Sequence, residues 1–305
     1  MVLKKIFKVL FICFLFSCKQ GQKSNKKEYL SGVISGINSF KKNRYDFDNP
    51  ELFKLNNALQ EISGLSFYNG FIYTHNDEEG RFFKINPENG KIVKEVWFGK
   101  DADYEGIAVF KEKVIIVKSN GNLSFFDIET EKLKIRKNKL KQENDVEGLC
   151  LRNDDELLIA CKGQMLDDDL KNKAKAIYSY NIEKDKLNKK PYLTIKDKDL
   201  EKYLKEEFKN LDISKKKKKQ MKNRALSFSP SGIAIHPKTK SIYVTSAKGS
   251  LLVVFNANKA LEEIIFLNEK QLPQPEGICF DNQSNLYIST ETKGSVGRIY
   301  KYPNH

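Results

Sequence analysis

Short segments in which apolar and polar residues alternate follow one another along most of the chain. After Gly64 the segments are LSFY, FIYTH, RFFKI and KIVKEVWF, and after Gly106 they are IAVF, VIIVK, LSFFDI and KLKIR. Turn sequences such as Asn69-Gly70 separate them. Alternation with a period of two predicts β-strands, and the turns predict hairpins. Each group therefore predicts four short antiparallel strands.

A phrase of Glu or Ser, then Gly, then Ile or Leu introduces each group of strands. It occurs at Gly64, Gly106, Gly148, Gly232 and Gly277, with spacings of 42, 42, 84 and 45 residues. Four strands in each unit of about 40 residues are typical of a propeller blade. The long interval holds one complete group and then residues 196–224, whose apolar positions recur every three or four residues and predict a helical insertion. We therefore predict an all-β fold, a five-bladed β-propeller.

The last group of strands is one strand short. It contains GICFD, NLYIST and GRIYKY, whereas the segment ELFKL at positions 51–55 precedes the first group and belongs to none. We predict that this N-terminal segment forms the outer strand of the last blade, because it would close the ring and remove an exposed sheet edge. A loose linker is the alternative. The propeller domain is then residues 46–305.

The first 18 residues are typical of a targeting signal. Lysines precede an apolar stretch at positions 9–16 that is too short to span a bilayer. Cys18 then completes LFSC, which resembles the lipobox of bacterial lipoproteins, where the cysteine carries the lipid. This predicts a signal peptide at 1–18, a flexible tether at 19–45 and a lipoprotein anchored to a membrane of the cell envelope, which we expect to be the outer membrane. Ordinary signal-peptide cleavage and an uncleaved anchor helix are the alternatives.

Lys and Arg number 54 against 40 Asp and Glu, which gives a formal net charge of +14. The lysines, including the run at 215–219, are not interleaved with aromatic residues as a surface that stacks nucleic-acid bases requires. We therefore expect a solvated basic surface and no nucleic-acid partner, with attraction of the tether to anionic lipids as the alternative. Five Cys in 305 residues are too few for a disulfide scaffold.

The repeat places carboxylates at one end of the propeller axis. The first strand of each blade lines this axis, so Glu105, Glu147 and Glu276 of the repeated phrase point at the mouth of the channel, on what we call the upper face. Glu61 is near enough in sequence to reach the same rim. Crowded carboxylates stay ionised only beside a cation, basic groups or solvent, and their oxygens suit Ca²⁺. We predict a calcium site formed by these four residues. Alternatively, each Glu caps backbone amides of the neighbouring blade and so joins the two blades, with its glycine needed for a left-handed or a tight entry turn.

The loops between second and third strands share the upper face. They carry six candidate ligand-binding residues: His75, Asn76, Lys118, Lys162, Lys248 and Lys293. We expect the lysines to balance the carboxylates or to hold an anionic ligand, whereas plain turn chemistry is the alternative. Two insertions, at 164–173 and 196–224, fall on the same face, and we expect them to form a partial lid.

The chain resembles the SdiA-regulated family of bacterial β-propellers. The resemblance rests on EISGLSF, DYEGIAVF, DVEGLC, FSPSGIAIHPKTKSIYVTS and LPQPEGICFDNQSNLYISTE, and it covers residues 50–305. It implies a five-bladed propeller related to NHL repeats, a bound Ca²⁺ and no established activity. The positions that match a site in the family are Glu105, Glu147, Glu276 and Glu61. The long helical insertion departs from the family pattern.

No catalytic residue can be assigned, because the sequence has no G-x-S-x-G, H-E-x-x-H or P-loop motif. The first hypothesis is a non-enzymatic, lipid-anchored propeller that binds a small molecule or a protein at a calcium-bearing upper face. The alternative is a calcium-dependent hydrolase of the lactonase or phosphoesterase kind, in which the metal polarises an ester or phosphoryl oxygen. One of the three phrase glutamates, or His75, would then be the base. A third hypothesis is an envelope scaffold without a small-molecule ligand.

Overall fold

The computed structural model describes residues 44–166, 174–292 and 295–305. These residues form five antiparallel sheets. The first strands of the five sheets contact one another in sequence, and the first strand of the last sheet contacts that of the first. The chain is therefore the predicted all-β, five-bladed propeller. The signal peptide, Cys18, Lys293 and all but the last two residues of the tether lie outside the described residues.

The blades take their strands in chain order from the axis to the rim. Blade 1 contains β2 (Ile62–Tyr68), β3 (Phe71–Asn76), β4 (Arg81–Ile85) and β5 (Ile92–Trp97). Blade 2 contains β6 (Tyr104–Phe110), β7 (Lys113–Lys118), β8 (Leu123–Asp127) and β9 (Leu133–Arg136). Blade 3 contains β10 (Val146–Asn153), β11 (Glu156–Cys161) and β12 (Ala174–Asn181), which pairs with both β13 (Lys186–Leu187) and β14 (Leu193–Lys196). Blade 4 contains β15 (Pro230–Ile235), β16 (Ile242–Ser246), β17 (Leu251–Phe255) and β18 (Leu261–Phe266). Blade 5 contains β19 (Gln274–Phe280), β20 (Leu286–Glu291), β21 (Arg298–Tyr302) and the N-terminal β1 (Glu51–Lys54).

The ring closes as predicted. Strand β1 pairs antiparallel with β21, so that Glu51 lies opposite Lys301. The fold begins before this strand, because Tyr45, which we placed at the end of the tether, is only 3% exposed. Its hydroxyl donates to Ser284 O at 2.8 Å. Residues from both ends of the chain therefore complete the last blade.

The predicted helical insertion forms two helices, α1 (Asp197–Glu207) and α2 (Lys215–Leu226). Leu200, Leu204 and Met221 are buried in a core that includes side chains of the outer strands β14 and β18. Each such burial stabilises the fold by about 1.5–3 kcal/mol. We expected a lid over the mouth, whereas this apolar stripe draws the helices onto the outer strands of blades 3 and 4. Neither helix is long and apolar enough to cross a bilayer, and this holds for the described residues only.

The glycines of the repeated phrase permit close approach of the inner strands. A Cβ atom built on Gly64 would lie 2.8 Å from Ile107 N, and one on Gly106 would lie 2.6 Å from Leu149 N. Neither glycine has a positive φ. The structural reason for glycine is therefore the packing of neighbouring blades, and the left-handed turn that we considered is wrong.

Serine hydroxyls supply hydrogen bonds that join neighbouring blades near the axis. The three bonds are Ser63 Oγ to Glu105 O at 2.9 Å, Ser231 Oγ to Pro275 O at 2.6 Å, and Ser289 Oγ to Ser63 O at 2.8 Å. The last bond joins blade 5 to blade 1. Neighbouring blades are thus joined by serine hydroxyl donors and backbone carbonyl acceptors. The Glu105 carboxylate takes no part in these bonds and remains at the mouth.

Candidate functional site

The mouth of the channel is lined by residues that begin the inner strands of three blades. Glu105 belongs to β6, Glu147 to β10 and Glu276 to β19. Glu147 is only 6% exposed, and the other two are half-buried. The charges of Glu105 and Glu147 both act on Glu276. The structure therefore brings the three predicted glutamates together.

A backbone hydrogen bond holds Lys162 beside these glutamates. Lys162 N donates to Asp145 O at 2.9 Å, which ties the end of β11 to the loop that enters β10. The same bond recurs in blades 1 and 2, from Asp77 N to Glu61 O and from Ser119 N to Asp103 O. In each of these blades, the repeat therefore places the residue that follows the second strand next to the acidic loop that precedes the first strand.

Lys162 supplies positive charge to the mouth. Its Nζ contacts Glu147 Oε1 and lies 3.6 Å from Asp145 Oδ2. Its charge also acts on Glu105 and Glu276. We call these five residues the mouth cluster. Lys162 is the predicted ligand-binding residue that joins the carboxylates, and it does so as their counter-ion.

The three glutamates of the mouth cluster are hard to ionise. Burial, together with the charges of Glu147 and Asp103, raises the pKa of Glu105 to about 9. Burial raises the pKa of Glu147 to about 7, although the Lys162 ammonium opposes the shift. Burial and the neighbouring carboxylates, Glu147 first among them, raise the pKa of Glu276 well above its ordinary range. Added positive charge at this place would favour the ionised forms.

A second acidic group lies where blades 5 and 1 meet at the same face. Burial and the charge of Glu61 raise the pKa of Asp77 to about 6. Burial and the charges of Asp77 and Glu61 raise the pKa of Glu291 to about 7. Sequence reasoning had found Glu61 but missed the other two as site residues. The signal was present, since Asp77 and Glu291 occupy the repeat position that Lys162 occupies in blade 3.

His75 and Asn76 are enclosed rather than presented to a ligand. The His75 side chain is fully buried, and its Nδ1 lies 2.8 Å from Asn76 O. Burial lowers the pKa of His75 to about 4, so the ring is neutral at pH 7. Asn76 is also buried, and its Nδ2 donates to Ala58 O at 2.7 Å. Burial of His75 does not favour its predicted role as a base.

Of the other predicted lysines, the structure describes Lys118 and Lys248, and neither forms an ion pair with a carboxylate of the mouth cluster. Lys118 Nζ lies 4.9 Å from the centre of the Tyr104 ring, which is a cation–π contact. Lys248 is exposed. Lys293 lies outside the described residues.

The donor atoms of the mouth suit a hard cation, but they are not arranged around one. Carboxylate oxygens are the ligands that Ca²⁺ prefers. Among the residues that the structure describes, no three His, Cys, Asp or Glu side chains are grouped so that they could hold a metal ion. Glu147 instead pairs with Lys162. Calcium at Glu105, Glu147, Glu276 and Glu61 therefore stays a prediction.

Comparison with known proteins gives a fold and a family. Among solved structures, the chain is similar to a glutaminyl cyclase from Myxococcus xanthus, with a TM-score of 0.55 and 10% identity over 83% of this chain and 93% of that one. It is also similar to a gluconolactonase from Xanthomonas campestris, with a TM-score of 0.48 and 14% identity over 83% and 80% of the two chains. Such low identities show the fold alone. No curated protein matches the sequence. A family match extends over residues 39–293, and the chain belongs to the SdiA-regulated family.

Proposed function

We propose that this protein is a lipid-anchored binding protein of the cell envelope whose ligand carries positive charge and is held at the mouth cluster. One observation carries the proposal. Burial raises the pKa of Glu105, Glu147 and Glu276, and Lys162 is the lysine whose charge opposes the shift at all three. A site with this surplus of poorly solvated carboxylates gains free energy when a cation enters it.

Calcium is the cation that we propose first. Hard carboxylate oxygens favour it over softer metals. Because Glu147 already contacts Lys162, a metal ion there would compete with the lysine ammonium. A positively charged group of a larger ligand would also compete with the Lys162 ammonium for Glu147.

The position of Arg44, the first residue that the structure describes, indicates which face of the propeller the tether joins. Arg44 O accepts from His305 N at 3.3 Å, and the Arg44 guanidinium lies 3.4 Å from His236 Nε2. His236 directly follows β15, whereas Ser231 near the start of that strand lies at the upper face. The tether would therefore join the propeller at the face opposite the mouth. Lipid on Cys18 would then leave the mouth pointing away from the membrane, toward a soluble ligand or partner.

The test compares thermal unfolding of the full chain in detergent with excess Ca²⁺ and with a chelator at pH 8. A ligand at a hundred times its Kd stabilises the native state by about 2.7 kcal/mol, which corresponds to a rise in Tm of about 5–10 °C for a chain of this size. Glu105→Gln with Glu276→Gln should abolish the rise. Glu262→Gln, at an exposed position of β18, is the matched control and should keep it.

Three results would redirect the proposal. An unchanged Tm after chelation, with no metal by elemental analysis, would remove calcium. Turnover of an ester, lactone or phosphate ester that Glu276→Gln abolishes in folded protein would favour the hydrolase alternative. Capture of a membrane protein that is independent of metal and of the mouth substitutions would favour a scaffold.

A further inference from the structure

A lysine-rich groove lies on the rim of the propeller, between the outer parts of blades 2 and 3. It consists of two adjoining cavities of 920 and 1100 Å³ that share Asn138, Lys139 and Lys189 in their linings. Seven lysines line it: Lys137, Lys139, Lys141, Lys184, Lys186, Lys189 and Lys190. We call this feature the lysine groove. No residue of the mouth cluster lines it.

Three acidic residues also line the lysine groove, Glu143, Glu156 and Asp185, and none of them forms an ion pair with one of its lysines. Glu156 pairs with Arg152 outside the groove, and Asp185 accepts a hydrogen bond from the Tyr180 hydroxyl. None of the seven lysines forms an ion pair with a carboxylate of the described residues. Lys139 and Lys189 instead line both cavities together, and the neighbouring Lys189 ammonium lowers the pKa of Lys139. Among the residues that the structure describes, the groove therefore holds clustered positive charge that no carboxylate pairs with.

Asparagine-capped turns fix both walls of the lysine groove. On the blade 2 side, Asn138 Nδ2 donates to Gly121 O at 2.7 Å, and its Oδ1 accepts from Leu140 N at 2.8 Å. On the blade 3 side, Asn181 Oδ1 accepts from Lys184 N at 2.7 Å. Such side-chain bonds hold the backbone of short turns in one conformation. The lysines thus project from ordered backbone, which reduces the entropy lost when they meet a ligand.

The lining favours clustered phosphate groups over nucleic-acid bases. Ammonium groups form charge-assisted hydrogen bonds with phosphate oxygens, and a phosphate between two lysines would also relieve their mutual repulsion. No aromatic side chain of the described residues lines either cavity, so a base would find no stacking surface among them. We propose that the lysine groove binds a ligand with clustered phosphate groups, supplied either by anionic lipid headgroups or by a soluble polyphosphate compound.

The test measures binding of tripolyphosphate to the full chain in detergent at 50 mM salt. Lys139→Gln with Lys189→Gln should weaken binding about tenfold, because two ammonium contacts are lost. Lys216→Gln with Lys219→Gln removes the same charge from exposed positions of α2 and should leave the affinity unchanged. Raising the salt to 300 mM should weaken binding by the original protein.

Competition distinguishes the two phosphate sources. Displacement of tripolyphosphate by phosphatidylglycerol vesicles, but not by phosphatidylcholine vesicles, would support the proposal with lipid headgroups as the source. Displacement by neither vesicle would support a soluble phosphate compound. Absence of tripolyphosphate binding at 50 mM salt, or an equal loss in the α2 control, would overturn the proposal. Preferential binding of a DNA duplex through the same two lysines would also overturn it.

Discussion

The mouth cluster and the lysine groove each gather like charges, but they do so at opposite places in the blades. The mouth cluster lies where inner strands meet at the axis, and its Glu147 is 6% exposed. The lysine groove lies on the rim, where Lys139 and Lys189 are accessible to water. Repulsion between buried charges is poorly screened, whereas water and salt screen exposed charges. Crowding of like charges therefore costs more free energy at the axis than at the rim.

This difference in screening determines how the charges of each region can be neutralised. At the axis the described residues supply one counter-ion, Lys162, and the glutamates otherwise take up protons, as the raised pKa values of Glu105 and Glu147 indicate. At the rim the lysines stay charged, and external anions can reach them. A cation in the mouth cluster would complete a buried network, whereas an anion in the lysine groove would replace solvent. We expect substitutions at the axis to change stability and substitutions at the rim to change binding.

The largest effect should come from Lys162→Met. The substitution leaves Glu147 buried without its counter-ion. Breaking a fully buried pair costs about 3–5 kcal/mol, and because the Lys162 side chain is 36% exposed we expect about 2 kcal/mol at pH 8. The loss should shrink at pH 5.5, where Glu147, whose pKa is raised to about 7, is protonated. Urea unfolding at the two pH values measures both quantities.

Lys118→Met is the matched control for this substitution. Lys118 occupies the repeat position in blade 2 next to that of Lys162 in blade 3, but its ammonium faces the Tyr104 ring. Removing that cation–π contact should cost about 0.5 kcal/mol at either pH. Equal losses for the two variants would show that Lys162 does not act as a buried counter-ion.

A smaller effect should appear in the dependence of stability on pH. The pKa values of Glu105, Glu147, Glu291 and Asp77 are all raised, to about 9, 7, 7 and 6, so the native state holds more protons than the unfolded state above pH 5. Stability is then highest near pH 5 and falls as the pH rises toward 9. Allowing for solvent screening, we expect a total fall of about 2 kcal/mol in chelator.

Two variants and Ca²⁺ test which groups produce this dependence of stability on pH. Glu105→Gln with Glu276→Gln should flatten it, because neutral amides have no proton to lose. Glu262→Gln should leave it unchanged, since this residue is exposed on β18. If Ca²⁺ binds as proposed, it should also flatten the profile of the original protein. Chemical unfolding across pH 5–9 gives the curve, and a stability that rises toward pH 9 would contradict the buried-carboxylate account.

The blades and their closure could be predicted because each rests on a pattern carried by the strands themselves. The alternation in ELFKL, together with a last blade that lacked a strand, was enough to place β1 beside β21. The structural reason for the glycines could not be predicted in the same way. Gly106 leaves no room for a side chain because Leu149 of the next blade lies against it. The residues that neighbour Gly106 in the sequence do not indicate this contact between blades.

The sites were predictable only where the repeat itself brought residues together. Glu105, Glu147 and Glu276 share one repeat position, so their convergence followed from the ring. Asp77 and Glu291 also share a repeat position, that of Lys162, but their meeting required in addition that the ring close between the first and last blades. The lysine groove depends on the directions of two loops, around Lys139 and Lys189, that no periodicity relates. Lysines on exposed loops are common, and their sequence does not indicate which of them face each other.

The smallest effect should follow Lys189→Gln, which removes one of two neighbouring like charges in the lysine groove. Because both groups are accessible to solvent, we expect a rise in Tm of about 1 °C at 20 mM salt that vanishes at 0.5 M salt. Lys216→Gln on α2 is the control, since its side chain is exposed outside the groove. Differential scanning calorimetry at the two salt concentrations measures the shift. A shift that persists in high salt would mean that the groove, like the mouth cluster, shields its charges from solvent, and the contrast between axis and rim would fail.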